Sequence, residues 1–169
     1  MVGRDQIVRQ PPVDYIEQTR AQYASLGYPP YGWVESEDAP PWASLEKPLS
    51  ECRVGLIASG GIYRAGQVAF HHKDDVSFRI IEATTPRDEL RITHFAYDQR
   101  DARRDPNAVF PLETLSALVE EGTIAGISPQ AYTFMGGIYS SRRVRDQLAP
   151  ALADRVIADE VDVVLLVPV

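Results

Sequence analysis

Two polar segments of the chain hold residues that could carry proton chemistry. The first is His71-His72-Lys73-Asp74-Asp75, and the second runs from His94 through Asp98 to Asn107. Together they contain all three histidines. Histidine is the one side chain whose ordinary pKa permits proton transfer near neutral pH. His72, His94 and Asp98 are therefore candidate catalytic residues, and His71 and Asp75 are candidates for contacting substrate.

Structural roles for the same residues stay open. Adjacent His71 and His72 cannot both face one side of a strand. Acidic and basic residues alternate over 98–105, which is typical of a solvated loop with local ion pairs. Aspartates such as Asp101 and Asp105 also cap turns and helices.

A metal site is an alternative use of the second segment. His94 and Asp98 would lie on one face of a helix, as two ligands of a metal ion do. Phe95 and Tyr97 instead favour a strand or a loop, and no His-Glu-x-x-His pattern occurs. We therefore predict no metal ligands in this chain.

Two glycine pairs, Gly60-Gly61 and Gly136-Gly137, each follow a predicted strand. Backbone N–H groups in such turns can hold an anion or a carboxylate. The formation of a turn is by itself enough to explain each glycine, and neither pair belongs to a Gly-x-Gly-x-x-Gly or Walker sequence. The four glycines are candidates for lining a substrate pocket.

The elements that must position these residues alternate between strand and helix patterns. Apolar runs predict strands at 52–58, near 90–93, at 132–135 and, fully buried, at 161–169. Helices are predicted at 111–122 and at 141–159, the second with a kink or break at Pro150. This alternation predicts an α/β fold with an open, mostly parallel, three-layer, Rossmann-like sheet.

The first 50 residues differ from the rest, since they hold seven of the thirteen prolines. A helix is predicted from Asp14, its N-cap, to Leu26, with Gly27 at the C-cap. Prolines around Tyr28–Trp33 predict an extended proline-rich arm. We divide the chain into residues 1–50, helix and arm, and 51–169, the α/β domain. The arm packs its aromatic rings on the body or reaches a second subunit.

Composition limits the classes of function. A net charge of −7 argues against a nucleic-acid-binding protein. No apolar run reaches the roughly 18 residues of a membrane span, and no signal region follows Met1, so a cytoplasmic protein is predicted. The single cysteine, Cys52, excludes an internal disulfide and a cysteine-based zinc site.

The apolar end of the chain, 161–169, predicts a strand with nothing after it. In open α/β sheets, ligands bind beyond the carboxyl ends of the strands. We therefore expect either a partner that caps this strand or a natural chain that continues past Val169, so that the α/β domain is incomplete.

Taken together, several segments resemble one family, the selenoprotein B family of glycine, sarcosine and betaine reductases, with the related small subunit of D-proline reductase. The resemblance runs from about Asp14 to Val169. The segments that carry it are Tyr28–Tyr31, Phe70–Asp75, Thr93–Asp98, Arg104–Pro111, Phe134–Gly137 and Val161–Leu166.

The resemblance implies reductive cleavage of a C–N bond in an amino acid or an N-methylated amino acid. In such proteins a selenocysteine or a cysteine attacks the substrate carbon, and a dithiol donor such as thioredoxin restores the enzyme. That nucleophile directly follows the Val-Leu-Leu strand, hence just after Val169. We hypothesise that a UGA codon follows Val169.

The same resemblance implies no cofactor in this chain, and a pyruvoyl group on a partner subunit in some members. The expected partners are a small amine or amino acid, the dithiol donor, and further subunits of a homo- or hetero-oligomer, with no nucleic acid or membrane. Two other functions stay open. One is a non-catalytic ligand- or subunit-binding member of the same fold, and the other is a metal-dependent hydrolase that uses the His/Asp cluster.

Overall fold

A computed structural model describes residues 14–169 of the chain. The predictions that concern Pro11, Pro12 and the sequence after Met1 lie outside the described residues. By their contacts, the described residues form two compact units, one that ends at Pro41 and one that begins at Trp42.

The N-terminal unit contains helix α1, Tyr15–Ser25. The Asp14 side chain caps it by accepting a hydrogen bond from the backbone N–H of Glu17 at 3.0 Å. After the helix, Gly27 adopts a φ of +71°, a left-handed conformation that glycine takes without strain. The helix, its N-cap and its terminating glycine are therefore confirmed.

The aromatic side chains of this unit pack on one another. Tyr23 makes edge contacts with Tyr28 and Tyr31, and Trp33 makes them with Tyr15 and Tyr31. None of the α1 residues is buried. Both predicted positions of the arm, on the body or on a second subunit, stay predictions.

The larger unit is built on one sheet of five strands. The strands are β1 (Arg53–Ala58), β3 (Phe78–Glu82), β5 (Gly126–Ile127), β6 (Gln130–Phe134) and β7 (Val163–Val167). β5 and β6 pair with successive parts of one edge of β1, and β7 pairs with the other edge from Val54 to Ala58, all in parallel. β3 runs antiparallel to β6. The prediction of an α/β fold with a mostly parallel sheet is confirmed, whereas its Rossmann-like character stays a prediction.

Four α-helices, four shorter helical turns and two further strands belong to the same unit. β2 (Ile62–Arg64) and β4 (Leu90–Ile92) form a separate antiparallel pair. α2 covers Arg100–Arg104 and α3 covers Leu112–Glu120, and three 3₁₀ turns lie at Leu49–Glu51, Arg87–Glu89 and Pro106–Ala108. The predicted break before Pro150 is present: α4 (Ser141–Arg143) passes into a π-helical turn at Val144–Leu148, and α5 (Ala149–Ala158) follows.

The strand alternation sends side chains to two apolar clusters, one on each face of the sheet. On β1, Leu56 and its alternate neighbours join a cluster that includes Leu115 of α3. Ile57 faces the opposite cluster, in which Tyr132 of β6 packs against Leu152 of α5. Because successive residues point to opposite faces, one strand serves both clusters.

The last strand differs from its prediction. A fully buried strand was expected, but Leu166 is 66% exposed and Leu165 is also exposed. β7 pairs with β1 on one side only among the described residues, and beside it lies an apolar groove of about 460 Å³ lined by residues of β7 and α5, Val164 and Val156 among them. The prediction of full burial is therefore wrong for this strand.

The α5 contact with the sheet provides a test of the packing. Replacing Leu152, which is buried, with alanine leaves a cavity and should lower the free energy of unfolding by about 2–4 kcal/mol. Ile157→Ala on the exposed side of the same helix should cost less than about 0.5 kcal/mol. Urea unfolding of both variants measures the difference, and equal losses would contradict the described orientation of α5.

Candidate functional site

The carboxyl ends of three parallel strands meet at one edge of the sheet. Directly after β1, the N–H of Ser59 donates to the carbonyl of Val167 at 3.0 Å, and the carbonyl of Ser59 accepts from Gly136 at 2.9 Å. Gly60 forms a bridge with Met135. This edge is where open α/β sheets collect ligands, and it contains both glycine pairs.

The Gly60-Gly61 turn brings the His94 segment against the strand ends. The N–H of Gly61 donates to Phe134 and its carbonyl accepts from Thr93, both at 2.9 Å. Gly61 has a φ of +70°, and a Cβ there would lie 2.1 Å from the Thr93 carbonyl oxygen. Only glycine fits this position, because it needs both the left-handed backbone and the free space.

The Gly136-Gly137 pair lets two other residues pack closely against the backbone, because neither glycine has a side chain. A Cβ at Gly137 would lie 2.4 Å from the Phe95 ring, and one at Gly136 would lie 3.0 Å from the Ser59 Cβ. The N–H of Gly136 is used by Ser59 and that of Gly137 points at the Met135 sulfur. The structure therefore gives these glycines a role in close packing at the site, while their N–H groups are engaged within the protein.

His94 is the buried histidine of the site, with 8% of its surface exposed. Its Nδ1 accepts the N–H of Ala96 at 3.0 Å, so the neutral ring carries its proton on Nε2. Nε2 is buried and has no hydrogen-bond partner among residues 14–169. Burial lowers the pKa of His94, so the ring is neutral near pH 7. Its Nε2–H group donates no hydrogen bond to any of the described residues.

The loop after His94 is fixed by contacts that the sequence did not predict. The hydroxyl of Tyr97 donates to the carbonyl of Gly60 at 2.9 Å, and its ring centre lies 4.7 Å from that of His94. The side-chain amide of Gln99 donates to the His94 carbonyl. Burial raises the pKa of Tyr97, so this hydroxyl stays protonated and able to donate. The spacing of Tyr97 three residues after His94 was the only signal in the sequence for this contact. The sequence does not reveal the partner of Tyr97, because Gly60 is 37 residues away.

Asp98 lies at the exposed side of the same loop. Its carboxylate accepts hydrogen bonds from Arg100, including Nε at 2.8 Å. These bonds lower the pKa of Asp98. The predicted candidate is thus ionised and paired with Arg100, as the alternating charges of this loop suggested, and the contacts do not bring it to His94.

The first polar segment forms an exposed turn. The rings of His71 and His72 stack with their centres 4.9 Å apart. Asp75 accepts the backbone N–H groups of His71 and Ser77 at 2.8 and 2.9 Å. Partial burial opposes ionisation, but the hydrogen bonds from Ser77 and His71 outweigh it and lower the pKa of Asp75.

Asp74, which lies in the predicted polar segment but was given no role of its own, ties this turn to the start of α4. It has a left-handed φ of +49°. Its carboxylate accepts the N–H groups of Tyr139 and Ser140 at 2.7 and 3.3 Å, and its carbonyl accepts from Arg143 at 2.8 Å. The turn therefore contacts the start of α4 and does not contact His94. The start of α4 lies a short distance along the chain from Gly137.

The histidines thus fall into two separate groups. The hydrolase alternative requires all of them to converge, and the described contacts join only His71 with His72. Among residues 14–169, no three His, Cys, Asp or Glu side chains are grouped closely enough to hold a metal ion. Within the same residues, no helix combines the length and apolar character needed to cross a bilayer.

Comparison with known proteins gives the family. Residues 33–169 match the family described as glycine/sarcosine/betaine reductase selenoprotein B. The chain belongs to this family. The predicted resemblance is confirmed over that range, and the Tyr28–Tyr31 segment lies outside it.

One curated relative is subunit gamma of D-proline reductase from Acetoanaerobium sticklandii, which is 29% identical over 134 residues. The alignment covers 79% of this chain and 55% of the relative, so the chain spans about half the length of the relative it matches. No solved structure matches the chain. By its name, that relative is one subunit of a reductase.

The need for glycine at position 61 can be tested directly. Gly61→Ala combines a left-handed backbone with a collision at the Thr93 carbonyl, so it should lower the free energy of unfolding by about 2 kcal/mol or more. Gly126→Ala is the control, since a Cβ there meets nothing within 4 Å. Thermal or urea unfolding compares the two, and a tolerated Gly61→Ala would refute the described turn.

The buried His94 should make folding depend on pH. Because its pKa is lowered in the folded chain, the unfolded chain binds a proton first, and stability is lost as the pH falls through the unfolded value of about 6.5. Denaturant unfolding of the wild type between pH 7.5 and 5 should therefore show a decline in stability.

His94→Gln should flatten this decline, while His72→Gln, an equivalent change at an exposed site, should keep it. The carboxylates with lowered pKa, such as Asp75 and Asp98, lose their contribution only at lower pH, below about 5. A slope unchanged by His94→Gln would show that His94 does not titrate as a buried group.

Proposed function

We propose that this chain is part of a reductase subunit that cleaves a C–N bond of an amino acid or an N-methylated amino acid with electrons from a dithiol. Family membership supports the reductase class. A cytoplasmic location and assembly with other subunits belong to the same proposal, and the relative named as a reductase subunit supports the latter.

The observation that carries the proposal is the position of Val169. Its backbone N–H donates to the Ser59 Oγ at 2.9 Å, and its side chain would meet a Cβ at Gly60 at 3.5 Å. A selenocysteine or cysteine after Val169 would therefore start from the edge at which the strand ends, both glycine pairs and the His94 loop meet.

A selenolate or thiolate suits this reaction because it is ionised near neutral pH and polarisable. Its attack on the substrate carbon displaces the amine, which leaves with the bonding electron pair and takes up a proton. A dithiol then supplies two electrons, becomes a disulfide and releases the reduced carbon product. A pyruvoyl carbonyl on a partner subunit is proposed to bind the substrate amine.

The histidines have different parts in this proposal. His94 is neutral and offers an Nε2–H donor, which suits it to orient a substrate oxygen. Nε2 is enclosed, so a ligand reaches it only when the groups that surround it move. Exposed His72 and Asp98 are the remaining candidates for proton transfer, and His71 and Asp75 for substrate contact.

The gene beyond codon 169 provides the deciding experiment. We expect the reading frame to continue through UGA or a cysteine codon. The longer protein, produced with its natural nucleophile and co-expressed subunits, should then release amine from glycine, sarcosine or betaine, or open the ring of D-proline, only when dithiothreitol is present. Selenium analysis checks the nucleophile, and substitution of that residue with serine is the inactive control.

An ordinary stop after codon 169, with no frame resuming, would contradict the proposed position of the nucleophile. C–N bond cleavage that persists without a dithiol would contradict the proposed electron source. A continued frame whose product cleaves the C–N bond of none of the four substrates would contradict the proposed reaction.

A further inference from the structure

Ser59 is the residue through which the three converging strand ends are joined. It follows β1 directly, its N–H bonds to the carbonyl of Val167 at the end of β7, and its carbonyl bonds to Gly136 after β6. Its hydroxyl accepts the N–H of Val169 at 2.9 Å. The first two bonds use the backbone and would exist with any residue, so the hydroxyl adds only the contact with Val169.

That contact lies beyond the part of β7 held by the sheet. β7 pairs with β1 residue by residue from Val163 to Val167. The Ser59 N–H extends this ladder to the Val167 carbonyl, and Pro168 that follows has no N–H to donate. The hydroxyl of Ser59 thus fixes the chain at the first N–H group past the end of the ladder.

The space around Ser59 is arranged for this contact. A Cβ at Gly136 would lie 3.0 Å from the Ser59 Cβ and 3.2 Å from its Oγ, so the glycine lets the serine side chain sit between the ends of β6 and β7. A serine hydroxyl has one donor and two acceptor positions. Because it accepts from Val169, its own hydrogen remains available at the site.

We propose that Ser59 is a positioning residue for the reductase reaction. Its hydroxyl holds the backbone at Val169, so that the residue after Val169 is presented beside Gly60 and the His94 loop. This inference rests on the proposed function, since the group being positioned is the proposed nucleophile. A role limited to holding β7 in the sheet would not need the hydroxyl, because the β1–β7 ladder supplies that contact.

The test uses the longer natural protein and three variants. Ser59→Ala removes the hydroxyl and keeps both backbone bonds, and Ser59→Thr restores a hydroxyl. Ser116→Ala is the matched control, because the Ser116 hydroxyl also bonds to a backbone group, the Leu112 carbonyl on α3. Thermal unfolding confirms that each variant folds.

Two measurements separate the inference from the proposed function. Hydrogen exchange at the Val169 amide, followed by NMR, should be about tenfold faster in Ser59→Ala, because one hydrogen bond is lost. The kcat of that variant should fall about 10- to 100-fold with KM nearly unchanged, because a misplaced reacting group slows the chemical step. Ser59→Thr should restore both values, and Ser116→Ala should alter neither.

Unchanged exchange in Ser59→Ala would show that the hydrogen bond is absent in solution, and the inference would fail. Faster exchange with wild-type kcat would also overturn it while the proposed function stands. A wild-type protein without dithiol-dependent reductase activity would overturn the proposed function, and the positioning role with it.

Discussion

Pairing of β1 along both of its edges is the constraint on which the larger unit depends. At Val54 and Ile57 the strand has a partner on each side, from β7 on one edge and from β5 or β6 on the other. Its side chains also fill the clusters on both faces of the sheet. Because β1 has neighbours on both sides, it ends in the middle of the row of strand ends. The residues that follow it are therefore surrounded by the ends of the neighbouring strands. The site at Ser59 and Gly60 is a result of that position.

Sequence reasoning succeeded where the signals are local. Asp14 and Gly27 mark the two ends of α1, Gly122 follows α3 with a φ of +72°, and the change of helix type before α5 lies next to Pro150. These features depend on a cap, a left-handed turn or a missing N–H, each of which one residue type decides. The apolar run at 52–58 predicted β1 just as directly.

The predictions that failed or were never made concern long-range pairing. β3 was not predicted, and its antiparallel register with β6 cannot be read from Phe78–Glu82 alone. β7 was expected to be buried because its residues are apolar, yet burial depends on what lies beside a strand, not only on its composition. In the site, the glycine pairs and His94 were found by type. Ser59 and Tyr97 were missed because their partners lie 110 and 37 residues away in sequence.

The exposed edge of β7 has a consequence for the polypeptide in concentrated solution. Its five residues are all Val or Leu, without the lysine, proline or bulge that commonly protects such edges. The backbone groups on this edge have no strand partner among residues 14–169, so they form a template on which another extended segment can add, and the neighbouring groove offers apolar surface to its side chains. A preparation of these 169 residues alone would therefore tend to aggregate through β7.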